Sequence, residues 1–436
     1  MSSTLSTQRL LMIGPRLLNR SRFLVWCGFA LILLIAPQIF NSASSVSFLS
    51  QLGALIIFCL SYNMLLGEAG MLSFCHAVFS GLGGFFAVHV MNLAADGLVF
   101  APVFIIPLVG GFASAIIGVL LGYVTTKKSG TTFAMITLGI GELVYFLSQI
   151  FPTFFGGEAG VTTDRVYGAP FLGMTFGPQI QVYYLTATWL MLCTIGMYAF
   201  TSTPLGRVVN AVRDNAERAE FIGYNPRMVR HLVLIISSLF AGIAGSLTAI
   251  NFEIASAESL GGARSAQALL FTFIGGRESF LGPIVGAVVG DFLSAKLSDY
   301  TAAWQLYLGI FFIIFVMYAP GGLVSIIAAN WRVLRAGAFG RVLPSWLAVV
   351  ASSVTAIAGA VILVELAYST IFGLQKTAVA ELFAPMGASS NAGACGFGVA
   401  LLLAGAFWFS RTRVTFSQDW DRINSEIGAS ERGRMT

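Results

Sequence analysis

The stretch "PLGRVVNAVRDNAERAEFIGYNPRMVR" (204–230) holds eight charged residues among 27, in a chain of 436 residues that has only 43 charges. Long apolar runs lie on both sides of it, at 180–200 and 231–250. A run of about 20 apolar residues crosses a bilayer as a helix. The charged stretch must therefore leave the membrane between two spans. We call residues 204–230 the island.

The composition of the whole chain is that of a multi-pass membrane protein. Hydrophobic residues make up 57% of it and charged residues 10%, whereas soluble domains carry roughly a quarter charged residues. We predict an all-α transmembrane bundle of about ten core spans, followed by a C-terminal two-span hairpin. The predicted spans are 23–40, 46–66, 73–95, 101–124, 131–151, 180–200, 231–250, 263–275, 282–298, 303–320, 345–367 and 391–410.

The basic residues predict the orientation of these spans. With the N-terminus in the cytoplasm, 20 of the 24 Lys and Arg fall at cytoplasmic positions, and Arg165, Arg264, Lys296 and Lys376 are the exceptions. Such asymmetry is the positive-inside pattern, so the net charge of +5 does not indicate a nucleic-acid surface. We expect both termini in the cytoplasm, at a bacterial-type inner membrane.

The span pattern divides the chain into five predicted segments. They are a cytoplasmic N-terminal segment, a transmembrane domain with a long charged loop at 201–230, a basic cytoplasmic connector, an additional hairpin and a cytoplasmic tail. Their bounds are 1–22, 23–330, 331–344, 345–410 and 411–436.

Enzymatic chemistry has little support in the sequence. The three histidines, His76, His89 and His231, lie on different spans or span ends, and the five cysteines stand singly. Lys127 and Lys128 lack the glycine-rich lead-in of a phosphate-binding loop. We therefore predict no catalytic residue, metal or cofactor, and if ATP is used, another chain binds it.

Two glycine-rich stretches differ from simple spans: "GEAGMLSFCHAVFSGLGG" (67–84) and "GGRESFLGPIVGAVVG" (275–290). Interrupted segments of this kind point to discontinuous helices beside a transport path. Glycines also allow two helices to approach closely in lipid. The sequence leaves both interpretations open.

The island itself predicts a single amphipathic helix over 206–222. On that helix Arg213, Glu217 and Glu220 would share one face, and Gly223 would end the helix with left-handed backbone angles. Such a helix either rests on the membrane surface or fits a groove on a cytoplasmic partner.

One motif favours the docking interpretation. Glu217-Arg218-Ala219-x-x-x-Gly223 resembles the E-A-A-x-x-x-G loop by which ABC importer permeases contact their ATPases. The longer stretch 202–247 resembles LivM-type permeases of branched-chain amino acid ABC importers. The stretches 65–87, 130–162, 273–289 and 318–327 are similar to the same family in the same order. The resemblance covers about 46–330, and 331–436 departs from it.

The resemblance implies a transporter with several subunits. Its protein partners would be a second permease, expected to be a paralogue, two ABC ATPase subunits and an extracytoplasmic substrate-binding protein. The chain would also contact membrane lipid, and no nucleic-acid partner is expected. Residues implied to couple to the ATPase are Gly206, Arg207, Arg213, Asp214, Glu217, Ala219 and Gly223.

Polar residues at membrane depth are the candidates for the substrate path. Glu142 lies in the middle of the span 131–151, where an ionisable group costs at least about 2.5–3.5 kcal/mol and is a functional candidate by default. A structural hydrogen bond is the alternative role. The same path would include Thr132, Thr137, Gly139 and His76, and an outer loop with Gly156, Gly157, Glu158 and Gly160 would shape its mouth.

The predicted function is therefore that of a permease subunit, not an enzyme, which moves branched-chain or related hydrophobic amino acids. A urea or short-amide permease of the same family is the alternative. From another class, a stand-alone secondary transporter would need intramembrane acid–base groups, whereas the charges here lie mostly outside the spans.

Overall fold

A computed structural model describes residues 20–167, 173, 175–319, 321–336, 339–372 and 391–433. The chain divides into two compact units, Met1–Val288 and Val289–Thr436. Both units are helical, as the apolar composition predicts, because a helix satisfies its own backbone hydrogen bonds in lipid. The all-α prediction is confirmed.

The first unit contains ten helices of more than one turn within the part of the chain that the structure describes. They are α1 Arg20–Ile39, α2 Ala43–Asn63, α3 His76–Ala95, α4 Ile106–Thr125, α5 Thr131–Ile150, α6 Gln179–Ser202, α7 Pro204–Asp214, α8 Ala216–Phe221, α9 Pro226–Phe252 and α10 Gly262–Gly275. An eleventh helix, α11 Gly282–Tyr300, begins in the first unit and ends in the second.

Helix α9 lies at the centre of the first unit and packs against α2, α3 and α4. Small residues make the close contacts: a Cβ on Gly83 would lie 2.5 Å from the Cα of Gly242, and a Cβ on Gly245 would collide with the carbonyl oxygen of Ser80. Backbones approach closely in lipid only where side chains are this small. The close-packing interpretation therefore applies to the C-terminal part of the stretch 67–84.

The two ends of the first unit carry different structures. The island lies at one end, which we call the island end. At the opposite end two short strands, β1 Val161–Thr162 and β2 Ile254–Ala255, pair antiparallel with Val161 opposite Ala255. We call this the ladder end. Helix α5 runs from the island end towards the ladder end.

The second unit ends in a helical hairpin. After α11, the helices of the second unit are α12 Trp304–Tyr318, α13 Gly322–Arg335, α14 Phe339–Phe372 and α15 Asn391–Gly433. Helices α14 and α15 pair antiparallel, and Ser352 Oγ lies 3.1 Å from Thr412 Oγ1. Part of the predicted tail, 411–433, thus continues the span 391–410 as one helix, and most of the predicted connector is also helical.

Eight helices in the described residues are long and apolar enough to cross a membrane, or nine if α12 and α13 form one bent span. Every one of the twelve predicted spans overlaps a helix, but some of these helices are short or partly polar. Helix α10 has 14 residues, about 21 Å at the rise of an α-helix, and cannot cross a 30 Å hydrocarbon core alone. The number of spans therefore stays a prediction.

Candidate functional site

Helix α2 and helix α3 are separated by a discontinuity. After α2 the chain makes a π-helical turn over Met64–Glu68, then leaves helical geometry until α3 begins at His76. Gly70 has a φ of +66°, a left-handed conformation that costs glycine little. We call residues 69–75 the break. The stretch 67–84 thus contains both a discontinuous helix and a close-packing surface.

Helix α10 also begins inside the bundle, beside the start of α3. Ser265, in the first turn of α10, accepts a hydrogen bond of 2.8 Å from the backbone N–H of Ala77. At the other end of α10, the carbonyl oxygen of Arg277 would lie 2.5 Å from a Cβ on Gly67, at the island end. The starts of the 20-residue α3 and the 14-residue α10 therefore meet within the bundle, the kind of position at which transporters with discontinuous helices bind substrate.

The island is two helices rather than the single helix predicted over 206–222. Thr203 caps α7 by accepting from the N–H of Gly206, and Asn215 interrupts the helix with φ −158° and ψ 100°. The Asn215 side chain then accepts from the N–H of Arg218 and caps α8. An asparagine favours such a cap because its short side chain replaces a missing backbone acceptor.

This interruption corrects the predicted charged face. Arg213 belongs to α7, whereas Glu217 and Glu220 belong to α8, so helical spacing no longer places the three on one face. Gly223 has a φ of +94°, which confirms its predicted role in ending the helix.

The apolar face of the island packs against its own bundle. Val209, Val212 and Ala219 are buried, and a Cβ on Gly206 would lie 2.5 Å from the carbonyl oxygen of Phe200. The expectation that this face fills a groove on a partner is therefore wrong for these residues. Gly206 and Ala219 hold the island on the bundle rather than presenting a surface.

Polar contacts join the island to the π-helical turn and the break. Asn210 donates to Glu68 Oε2 at 2.8 Å, and the guanidinium of Arg213 donates to the carbonyl oxygen of Gly67. Arg213 also pairs with Asp214 at 3.0 Å. A Cβ on Gly70 would lie 2.8 Å from Arg213 Cγ. We call the contacts of Asn210 and Arg213 with Gly67 and Glu68 the clasp.

A polar cavity of about 230 Å³ opens beside the clasp. Its walls come from the break, the 129–130 loop, the junction of α7 and α8, and the second turn of α9. The lining residues include Gly70, Ser129, Arg213, Asn215 and Arg230. The island is thus anchored at one edge and separated from the bundle by open space at another.

The free surface of the island is an apolar patch around the end of α8. Phe221 is 89% exposed, and Ile222, Tyr224 and Met228 are also exposed. We call these four residues the island tip. Of the predicted coupling residues, five are exposed: Arg207, Arg213, Asp214, Glu217 and Gly223. Large apolar side chains grouped on a loop outside the spans mark a surface that binds a protein or a membrane.

Glu142 lies on an open face of the bundle at membrane depth. It is 11 residues from the start of α5, which is about 17 Å along the helix axis. Its side chain is exposed in the single chain, and Oε1 would lie 3.1 Å from a Cβ on Gly262 at the start of α10. Thr132 and Gly139 are exposed on the same helix.

Two other predicted path residues are buried in packing contacts. Thr137 Oγ1 accepts from the N–H of Phe74 at 3.1 Å, and so holds the break against α5. His76 is fully buried, stacks on Phe58 and lies 2.9 Å from Ser61 Oγ. In this structure these two side chains stabilise the discontinuity and do not line an open surface.

The predicted outer loop forms a tight turn at the ladder end. Gly156, Gly157 and Gly160 all have φ near +70°, and a Cβ on Gly160 would collide with the carbonyl oxygen of Ala255. These glycines are required by the turn and by the approach of β2. Glu158 is exposed beside them.

Arg165 connects several segments at the ladder end, a role that the sequence analysis missed. Its guanidinium donates to the carbonyl oxygens of Ile250, Asn251 and Gly177 and to the side chain of Gln179. It also pairs with Glu253 at 3.5 Å, and its side chain is only 11% exposed. Its exceptional position in the positive-inside count was the signal that could have identified it.

Tyr167 ties the same loop to the segment before α4. Its hydroxyl donates to the carbonyl oxygen of Ala101 at 2.7 Å. Burial raises the pKa of Tyr167 to about 12, because a buried phenolate would lose its hydration. The hydroxyl therefore remains a donor throughout the physiological pH range.

A bundle of apolar helices in which two helices start inside the bundle, and in which a charged loop is bonded to the π-helical turn before one of these starts, defines a multi-pass membrane transport protein. A family model described as "Branched-chain amino acid transport system / permease component" matches residues 44–319. The chain belongs to this family, which confirms the predicted resemblance.

Individual relatives agree with this membership. The chain is 28% identical over 335 residues to the high-affinity branched-chain amino acid transport system permease protein LivM of Escherichia coli K12, covering 71% of this chain and 77% of that protein. It is 29% identical over 318 residues to LivM of Salmonella typhimurium, covering 67% and 73%. The xylose transport system permease protein XylH of Escherichia coli K12 is 30% identical over 146 residues, covering 33% and 36%. No solved structure matches with comparable significance.

Proposed function

We propose that this permease component translocates branched-chain or related hydrophobic amino acids, in an inner membrane, with energy from a separate ABC ATPase. The clasp carries the proposal: the charged loop of the island is bonded to the π-helical turn beside the break, and the break leads to the two helix starts at membrane depth. Movement of the island would therefore move the break.

The island tip is the proposed contact with the ATPase. Phe221 and its neighbours are exposed, whereas Val209, Val212 and Ala219 of the island are already buried in the bundle. Exposed aromatic side chains supply much of the affinity at protein interfaces. The island end would then be cytoplasmic, as the distribution of Lys and Arg predicts, and the exposed residues Arg207, Asp214 and Glu217 would surround the contact.

The exposed polar face of α5 is the proposed wall of the translocation path. This face exposes Glu142, Thr132 and Gly139 in the single chain. A carboxyl group facing lipid would be costly, and a second permease subunit, proposed to be a paralogue, would cover it. The substrate would then pass between the two subunits beside Glu142.

An extracytoplasmic binding protein is proposed to deliver the substrate at the ladder end, near Glu158. The amino-acid substrate is supported by the relatives that match more than two thirds of this chain, whose names specify branched-chain amino acid transport. The sugar permease matches only a third of it. Urea or a short amide is the second candidate, since the notable polar group on the open face, Glu142, does not select an amino-acid side chain.

Two measurements test the proposal. When the full chain is purified from cells that also express its expected partners, an ATPase should copurify with it. Phe221→Ala should weaken that association without changing the amount of the chain in the membrane. A strain that lacks the gene should lose uptake of labelled leucine. Loss of urea uptake alone would reject the amino-acid substrate, and absence of any associated ATPase would reject the whole proposal.

A further inference from the structure

The cavity beside the clasp contains a cation that has no partner in the described part of the chain. Arg230 is half-buried in the second turn of α9 and lines the cavity. Among the described residues, no acceptor or carboxylate bonds to its guanidinium. A half-buried cation of this kind has lost part of its hydration without gaining a counter-charge. The position therefore favours an anion that comes from outside the chain.

The other charged residues of the cavity wall are Arg213 and Asp214. The Arg213 guanidinium is already occupied, because it donates to Asp214 Oδ1 and to the carbonyl oxygen of Gly67. The Asp214 side chain is 69% exposed, and its second carboxylate oxygen, Oδ2, is left to accept another donor. The cavity thus offers a cation to an anionic ligand group and a carboxylate oxygen to a cationic one.

The size and the apolar walls of the cavity restrict the ligand further. Met71 of the break, Val212 of α7 and Ala216 of α8 line it beside the charged groups. Its volume of about 230 Å³ is below the ~300–1,000 Å³ of pockets that hold drug-sized ligands. A free α-amino acid with an apolar side chain has the required features, which are a carboxylate, an ammonium group and a short apolar chain.

We propose that this cavity binds a free apolar α-amino acid, such as leucine, from the side that the basic residues predict to be cytoplasmic. The Arg230 guanidinium would donate to the carboxylate oxygens, since its parallel N–H groups match a carboxylate. The ammonium group of the ligand would donate to Asp214 Oδ2. Its side chain would lie along Met71 and Val212.

A bound amino acid would restrain the island. The cavity walls belong to the break, the 129–130 loop, the island and α9, so one ligand contacts segments that must move relative to each other if the proposed function is right. A ligand that binds one arrangement of these segments better shifts the equilibrium towards it. Accumulated amino acid would therefore slow its own import. This feedback rests on the proposed function, whereas the binding itself does not.

The test of binding is hydrogen–deuterium exchange of the full chain in detergent, with leucine at millimolar concentrations. Leucine should slow the exchange of backbone amides at 69–71 and 212–216. Two analogues separate the charged groups of the ligand: isocaproate is leucine without its ammonium group, and isoamylamine is leucine without its carboxylate. Each should protect these amides less than leucine does at the same concentration.

Three variants locate the effect. Arg230→Gln should raise the leucine concentration for half-maximal protection at least about tenfold, since a charge-assisted hydrogen bond is lost. Arg227→Gln is the matched control, because Arg227 lies one turn earlier on α9 and donates to the carbonyl oxygen of Tyr123 instead of lining the cavity. Glu142→Gln is the control for leucine on the proposed translocation path. Both controls should keep the protection of the unchanged protein.

Four results would overturn the proposal. Unchanged exchange at 69–71 and 212–216 would show that leucine does not enter the cavity. Protection by isocaproate equal to that by leucine would show an anion site that does not recognise an amino acid. Equal weakening by Arg230→Gln and Arg227→Gln would show attraction to the overall charge. Loss of protection in Glu142→Gln alone would assign the effect to the translocation path.

Transport by reconstituted complexes separates the feedback from the proposed function. Leucine added on the island side should slow leucine transport by the unchanged protein and slow it less in Arg230→Gln. Transport that leucine on this side does not slow would reject the feedback alone. Absence of any leucine transport would instead reject the proposed function.

Discussion

Removal of the Asn210–Glu68 hydrogen bond, one of the two contacts that form the clasp, should weaken the coupling of ATP hydrolysis to transport. Asn210 and Glu68 are 142 residues apart in the chain and are joined by a hydrogen bond of 2.8 Å between the Asn210 amide and Glu68 Oε2. A hydrogen bond to a charged group contributes about 1.5–3 kcal/mol when buried. Because this pair is only part-buried, we expect about 1–1.5 kcal/mol. That free energy corresponds to roughly a tenfold change in the equilibrium that the clasp controls.

The perturbation is a double-mutant cycle of Glu68→Ala and Asn210→Ala. Each single change removes the same bond, so the double variant should be little worse than either single one. The assay is substrate-dependent ATPase activity and transport per ATP in reconstituted complexes, with the amount of assembled complex measured in parallel. Each single variant should keep assembly and basal ATPase activity but lose transport per ATP.

Lys128→Ala is the control, because Lys128 is an exposed cation in a loop next to the cavity and takes no part in the clasp. Additive losses in the double variant would show that the two side chains act separately. Wild-type coupling in both single variants would refute the reasoning that the island moves the break. Loss of assembly would instead assign the pair to folding.

The remaining predictions concern the path, the ladder end and the hairpin. Glu142→Gln should keep expression and reduce uptake, because a carboxylate on the proposed path is lost; normal transport, together with labelling of a cysteine at 142 by lipid-soluble reagents alone, would place the residue in lipid. Arg165→Ala should destabilise the ladder end by about 1–3 kcal/mol, since it leaves the carbonyl oxygens of Ile250 and Asn251 without their donor. A lower melting temperature and faster proteolysis near 156–167 would measure this, with Lys296→Ala, from an exposed pair, as a nearly neutral control; equal melting temperatures would contradict it. Truncation after Arg341 should leave a core that still binds its ATPase, as copurification would show, and degradation of the truncated chain would make the hairpin integral.

The positions of the helices could be predicted because membrane helices follow a simple physical rule. A backbone in lipid must satisfy its own hydrogen bonds, so each long apolar run becomes a helix whatever its neighbours are. The division of the island at Asn215 was not predicted, since apolar residues at helical spacing continue across it. Its sequence signal was present: an asparagine followed by an acidic first turn at Glu217 favours a new helix start.

The candidate site was predicted only in part because its contacts join distant segments. Glycine content in 67–84 indicated a discontinuity, and charge density indicated an exposed island. Nothing in residue spacing indicates that Asn210 meets Glu68, or that Arg213 meets Gly67. Thr137 and His76 show a second limit of the sequence: a polar residue in an apolar span can line a path or make a packing contact. The two roles are distinguished only by the three-dimensional neighbours, which are the backbone of Phe74 for Thr137 and the ring of Phe58 for His76.

The hairpin is attached to the family region by a buried carboxylate. Glu365 of α14 is 4% exposed, and its Oε1 accepts from Thr301 Oγ1 at 2.6 Å and from the Tyr307 hydroxyl at 3.0 Å. Both donors lie within the residues that match the family model. Side-chain hydrogen bonds in membrane proteins contribute about 0.6 kcal/mol each on average. Truncation would remove these two hydrogen bonds, but it would also remove the free-energy cost of burying the carboxyl group. The net loss of stability is therefore small, and the core should remain folded. Replacing Glu365 by Leu in the full chain keeps the hairpin but leaves both hydroxyls without their acceptor, so it should destabilise the protein more than truncation destabilises the core.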